Sequence, residues 1–452
     1  MRNIANVLLL HLALPFEVLT AYIPAPIRGV NLGGWFGTSS VFLVTEQWIT
    51  PSLYRSTNAD DEWGLCNKLG KDRCSSHLED HWSSFFSRDD FEDMAAAGLN
   101  AVRIPLGYWA VDVNDYEPYV SGQYPYLIRA VNWASELGMR VLIDMHGAPG
   151  SQNGQDNSGL IGPVLFPSNE TNADRSIRVL RNLTEEFSRD VYGNTVMGIE
   201  LLNEPRLSSN GTDDDFPMDQ LKSFYSDASR TVRRANSDES MNVTIHDAFW
   251  GPGYWVNYDP TESAASSPAR RLTVDTHQYY AFAQQASYDH DQILESICNV
   301  STELKQPQAQ TGIPPTIVGE FSLQTGDSNP HGDHDSDDDQ EQRTWYRLFF
   351  ESQIVGYSPN AEGQSSIGWM YWTWKTEYDI DTWSYRRGLQ DGYIPADVSN
   401  ASSLAYPLRE NGCVDAGFDY TAPDAATGLS TPSALLVGLV ALISILLSCL
   451  PG

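Results

Sequence analysis

Residues 198–206 read "GIELLNEPR", an apolar run that breaks off at Asn203, Glu204 and Pro205. A strand this apolar belongs in a core, yet it ends on an amide and a carboxylate. The run "TIVGEFS" at 316–322 ends in the same way, around Glu320. Further apolar runs share the pattern: "IRGVNLG" from 27, "NAVRIPL" from 100, "RVLIDMHG" from 140, "NVTIHDA" from 242, "RLTVDTHQYY" from 271 and "IGWMYWTWK" from 367. Between them lie stretches such as "YLIRAVNWASELGM" and "SIRVLRNLTEEFSRDV", apolar at three- and four-residue spacing, as in helices that bury one face. Short apolar strands alternating with such helices make parallel βαβ units. Eight of them predict an α/β fold, a closed (β/α)8 TIM barrel forming a single catalytic domain.

Such barrels carry their reactive residues at the C-terminal ends of the strands. The polar residues there are Asn31, Arg103, His146, Asn203, Glu204, His277, Tyr279, Glu320 and Trp372. Glycoside hydrolysis needs two carboxyl groups flanking one bond, one to protonate the leaving oxygen and one to attack carbon or activate water. Glu204 and Glu320, on the fourth and seventh strands, are the expected pair. An anionic Glu320 is expected to raise the pKa of Glu204 and keep it protonated as the acid. Asn203 suits a sugar 2-hydroxyl, Arg103 suits orienting Glu320, His146 and His277 suit other hydroxyls, and Tyr279 suits a hydrogen bond to the nucleophile. Glu200, Asp144 and Asp275 are read as buried supports lower in the barrel. Among 13 Trp and 22 Tyr, Trp372 and Trp374 stand at the last strand end, where flat rings stack on sugars.

The 452 residues carry a net charge of −31 and a pI near 4.4, which excludes nucleic acid as a partner, since its phosphates would be repelled. The balance suits an extracellular protein, read as a monomer, with a neutral or cationic partner. Residues 1–21, with "VLLLHLALPF" after Arg2, have the layout of a secretory leader. Residues 426–452, with an apolar run from Ala434 to Leu450, fit a GPI-anchor signal or a single membrane tail. The catalytic domain is therefore expected over 22–425. Cys449 lies in the tail, and the other four cysteines allow three pairings, of which sequence closeness favours Cys66–Cys74 with Cys298–Cys413. Six glycosylation sequons begin at Asn169, Asn182, Asn210, Asn242, Asn299 and Asn400. Acidic runs at 212–216 and 326–342 follow strands four and seven and read as solvated loops. His331 and His334 in the second lack the pattern of a calcium loop, and neither metal nor cofactor is expected.

Eight motifs in order, "RGVNLGGWF", "TEQWITPSLY", "VRIPLGYWA", "HGAPGSQNGQDNSG", "LLNEPR", "THQYYAF", "VGEFS" and "WTWKTE", resemble fungal exo-β-1,3-glucanases of glycoside hydrolase family 5. The resemblance runs from about Arg28 to Cys413. It implies a retaining double displacement that releases glucose from non-reducing ends of β-1,3-glucan, with Glu204 as acid/base and Glu320 as nucleophile. It also implies sugar-binding roles for Glu46, Arg103, His146, Asn203, His277, Tyr279 and Trp372, and a Cys298–Cys413 disulfide. The chain departs from that pattern by an insertion, "FGTSSVFLV" at 36–44, and by the acidic loop after "VGEFS". A β-glucanase or β-glucosidase of another linkage, such as β-1,6-glucan or a glucosylated lipid, and a non-catalytic anchored glucan-binding protein are the alternative readings.

Overall fold

Each apolar run becomes one parallel strand: β1 (Ile27–Asn31), β2 (Ala101–Gly107), β3 (Arg140–Gly147), β4 (Val196–Glu200), β5 (Asn242–His246), β6 (Leu272–Tyr280), β7 (Thr316–Thr325) and β8 (Ser366–Tyr371). They pair in sequence order and β8 closes on β1, giving the expected eight-stranded barrel. The computed structural model describes residues 26–35, 49–166, 169–207, 217–236, 241–260, 272–326 and 339–422. Glu46, the 36–44 insertion, Asn210, His331, His334, nearly all of both acidic runs, the leader and the tail lie outside the described residues.

Among the described residues eleven α-helices accompany the strands: α1 (Pro51–Arg55), α2 (Glu62–Leu69), α3 (Lys71–Ser84), α4 (Arg88–Ala96), α5 (Tyr124–Glu136), α6 (Glu170–Phe187), α7 (Met218–Ala235), α8 (His290–Leu304), α9 (Gln308–Thr311), α10 (Asp339–Tyr357) and, after β8, α11 (Tyr385–Asp391). In α6 the buried residues Ser176, Val179, Leu180, Leu183, Thr184 and Phe187 recur at three- and four-residue spacing. That stripe packs the helix on the barrel and leaves the charged face to water. Among the described residues, no helix is long and apolar enough to cross a membrane.

Side chains inside the barrel change character with height. Ile27, Ala101, Leu142, Met197, Ile317 and Met370 form an apolar cluster, on most strands near the start. Two residues further along β2 and β3 stand Arg103 and Asp144, because strand side chains alternate faces and every second residue points inward. With Glu200 and Asp275 they form a charged layer, all four fully buried. The candidate catalytic residues sit above this layer.

Both disulfides form as expected. Cys66–Cys74 joins α2 to α3, and Cys298–Cys413 ties the last described segment to α8 across 115 residues. Glu351 holds the same segment by accepting from the Ala405 and Tyr406 amides at 2.8 and 3.0 Å. One sequon reading is corrected. Asn242 opens β5 and is only 5% exposed, so the folded barrel leaves no room for a glycan there. Asn169, Asn182, Asn299 and Asn400 are exposed.

Candidate active site

Glu320 is delivered to the barrel mouth by an unusually close backbone approach. A Cβ on Gly319 would lie 2.0 Å from Asp275 Oδ2. Instead the Gly319 amide donates to Asp275 Oδ1 at 2.7 Å, and its carbonyl accepts from Asn31 Nδ2 at 2.8 Å. Only glycine fits this position. The next side chain is then gripped on both oxygens: Arg103 Nη1 donates to Oε1 at 2.7 Å and the Tyr279 hydroxyl donates to Oε2 at 2.8 Å. Burial with neighbouring carboxylates holds the Tyr279 hydroxyl well above its usual pKa, so it stays a donor.

Glu204 arrives differently. β4 ends at Glu200, and Asn203 and Glu204 lie just beyond it, with Glu204 in the left-handed region at φ 42°. A non-glycine residue there costs on the order of 1–3 kcal/mol and is typical of sites where geometry is imposed for function. Its Oε1 meets His277 Nδ1 at 2.7 Å and its Oε2 accepts from Asn157 Nδ2 at 2.8 Å. Asn157 belongs to the "HGAPGSQNGQDNSG" loop after β3, and its role was not singled out from sequence because the loop folds back across 47 positions.

His277 joins the two carboxylates. β6 and β7 are in register at His277 and Glu320, and His277 Nδ1 lies 2.7 Å from Glu204 and 3.4 Å from Glu320 Oε2. Those two carboxylate oxygens are therefore at most 6.1 Å apart, the sum of the two distances. His277 Nδ1 thus faces both acids, a contact the sequence reading did not include.

The same histidine overturns the expected protonation of Glu204. Burial pushes the Glu204 pKa up, but the hydrogen bond and charge of His277 outweigh it, and the net direction is down. Burial opposes a charge on His277, but Glu320, Asp275 and Glu204 together raise its pKa well above the ordinary value. For Glu320, burial prevails over His277 and Arg103, and its pKa is raised. In the free site, then, the proton expected on Glu204 sits on the adjacent imidazole.

Arg103 is fully buried and anchors the layer below. It pairs with Glu200 at 2.8 Å, Asp144 at 3.1 Å, Asp275 at 3.6 Å and Glu320 at 2.7 Å, and donates to Asn203 Oδ1 at 2.8 Å. His146 Nδ1 donates to Asp144 Oδ2 at 2.6 Å, and its ring stacks on Trp372, centroids 5.5 Å apart. Arg103, His146, Asn203, His277, Tyr279 and Trp372 therefore converge as expected. Trp374 does not: it is fully buried and donates to Asp90 at 3.0 Å, because the chain leaves β8 after Tyr371. Among the described residues two donor triads, Glu204–His246–His277 and Glu200–Asp275–His277, are close enough to hold a metal ion. Both depend on His277, and a protonated imidazole between carboxylates has no lone pair to offer.

Removing the Arg103 charge leaves Glu320 and three buried acids without their shared cation. Arg103→Met is expected to destabilise the fold by about 3–5 kcal/mol, the range for breaking a buried ion pair from one side. Denaturant unfolding with unchanged m-value measures it.

A family model described as Cellulase (glycosyl hydrolase family 5) matches residues 66–377. The chain is 36% identical over 381 residues to probable glucan 1,3-beta-glucosidase A of Aspergillus niger, covering 78% of this chain and 83% of that protein. It is 33% identical over 404 residues to glucan 1,3-beta-glucosidase 1 of Schizosaccharomyces pombe, covering 85% and 91%. In fold it is similar to the crystal structure of rutinosidase from Aspergillus niger, with a TM-score of 0.66 at 24% identity over 82% of this chain and 98% of that one.

Proposed function

Since the chain belongs to glycosyl hydrolase family 5 and is a glycoside hydrolase, we propose that it releases glucose from the non-reducing ends of β-1,3-glucan with retention of configuration. The observation that carries the reading is the separation of the two carboxylates. One oxygen of each lies at most 6.1 Å from the other, which supports the retaining course, in which the two carboxyl groups stand about 5–5.5 Å apart.

In the proposed reaction Glu320 attacks the anomeric carbon while the glycosidic carbon–oxygen bond breaks, and the leaving oxygen takes a proton through Glu204. That proton is drawn from the Glu204–His277 pair, whose 2.7 Å contact makes it a single proton-sharing unit. Water then attacks the glucosyl–Glu320 ester, gives its proton to Glu204 and frees the carboxylate of Glu320. Capture of the same intermediate by a sugar hydroxyl instead of water gives transglucosylation. Asn203 is proposed to hold the 2-hydroxyl, and Trp372, backed by Ile49 and Trp383, to support the ring of the terminal glucose. Glu46 is proposed as a further substrate-binding acid. The names of the relatives support the linkage. We place the enzyme outside the cell, at the cell wall, on the basis of the leader, the sequons and the lipid-anchor-like tail.

Linkage-defined trisaccharides test the reading. Laminaritriose labelled at its reducing end is expected to give unlabelled glucose and labelled disaccharide, and gentiotriose and cellotriose to be cleaved much more slowly. Preferential cleavage of gentiotriose would move the assignment to β-1,6-glucan, and release of the labelled reducing-end glucose from laminaritriose would remove the exo reading.

A further inference from the structure

The loop after β3 holds the second oxygen of Glu204 through a chain of amides whose direction is fixed at its head. The Gln155 backbone N–H, which can only donate, gives its hydrogen to Asn153 Oδ1 at 3.0 Å. That leaves Asn153 Nδ2 to donate to Asn157 Oδ1 at 2.9 Å, and Asn157 Nδ2 to donate to Glu204 Oε2 at 2.8 Å. A side-chain amide accepts at one end and donates at the other, so a donor at the head makes a donor of the last member.

The chain is firmly mounted. Asn153 is buried. The Ser151 and Ser158 hydroxyls pair at 2.6 Å across the loop, and the Gly154 amide donates to Ser151 Oγ at 2.8 Å. Gln152, oriented by the Ala148 amide at 3.0 Å, donates to the Asn203 carbonyl at 3.0 Å. One loop therefore fixes both the backbone just before Glu204 and the Glu204 side chain.

Glu204 consequently has two unlike oxygens. Oε1 lies 2.7 Å from His277 Nδ1, and a proton can pass between them. Oε2 already has the Asn157 hydrogen pointing at it. We infer that Asn153 and Asn157 are positioning residues that keep Oε2 an acceptor and confine the transferable proton of Glu204 to Oε1. The inference rests on the proposed role of Glu204 as acid/base; the direction of the amide chain does not.

Exchanging Asn153 for its isostere reverses the chain. In Asn153→Asp one carboxylate oxygen still accepts from Gln155, and the other calls for a hydrogen from Asn157. Asn157 turns to supply it and presents its own oxygen to Glu204 Oε2, where two acceptors repel unless Glu204 is protonated. Glu204 also faces His277 and Tyr279 of β6, His146 of β3, Arg103 of β2, Glu320 of β7 and His246 of β5. The substitution leaves all of these in place.

Carbon-13 NMR titration of the glutamate carboxyls tests it, with Glu204 assigned by its loss in Glu204→Gln. The Glu204 midpoint should rise by about one to two pH units in Asn153→Asp and in Asn157→Ala, the worth of one hydrogen bond to a charged group. The alkaline limb of laminaritriose hydrolysis should move up with it. Asn153→Ala, which removes the side chain without reversing the chain, should shift the midpoint less. In the Asn157→Ala background the Asn153→Asp shift should largely disappear, because no amide remains to turn. A midpoint unmoved in Asn157→Ala would overturn the inference. So would an Asn153→Asp shift of equal size in both backgrounds, which reduces the effect to charge repulsion. A midpoint that rises while the alkaline limb stays in place would support the amide chain and remove Glu204 as the proton donor.

Discussion

Glu320→Gln is expected to reduce hydrolysis of β-1,3-glucan on the order of 10⁴-fold or more, the scale on which a nucleophile's removal is felt, while the protein remains folded. The amide preserves the shape of the side chain, and its oxygen still accepts from Arg103. What it loses is the ability to form the glucosyl ester. A stronger form of the prediction follows from Glu320→Ala. The space vacated by the carboxylate lies on the face from which it attacks, so azide entering there should form α-glucosyl azide from an activated β-glucoside. Formation of the β-azide would place the nucleophile elsewhere.

Glu204→Ala should give a different signature. Proton donation matters in proportion to the basicity of the leaving oxygen, so glucan cleavage should fall about 10²–10⁴-fold, while aryl glucosides with acidic phenols should still form the glucosyl ester. Azide then attacks that ester from the opposite face and yields β-glucosyl azide. The pH dependence separates the two residues further. Glu320 must be ionised to attack, and its raised pKa means that activity is lost as pH falls through a value above the usual glutamate range. The proton shared by Glu204 and His277 must be present, and His277 is pushed well above its ordinary value, so activity on glucan persists until pH rises past that raised pKa. Glu204→Ala, assayed with an activated aryl glucoside, should retain the acid limb and lose the alkaline one.

The barrel was legible because burial on both faces leaves apolar runs of strand length, and all eight appear where the runs stand. The mouth was legible because polar residues recur where those runs end, the end at which such barrels carry their reactive groups. What escaped were relations between strands. Nothing near Glu204 in the chain announces that His277, 73 positions away, lies between the two carboxylates, so the expected net shift of the Glu204 pKa took the wrong sign. Asn157 was hidden for the same reason, since a loop residue's partner depends on how the loop folds back. Trp374 misled because the strand period was carried past Tyr371, where β8 stops. The Asn242 sequon shows the reverse case, a local motif silenced by its place in a buried strand.

The central claim is a double displacement by Glu204 and Glu320, and proton NMR of the glucose released from laminaritriose tests it most directly. The first glucose observed, before mutarotation, should be the β-anomer. Initial release of α-glucose would contradict the account, because a single displacement by water inverts the anomeric carbon.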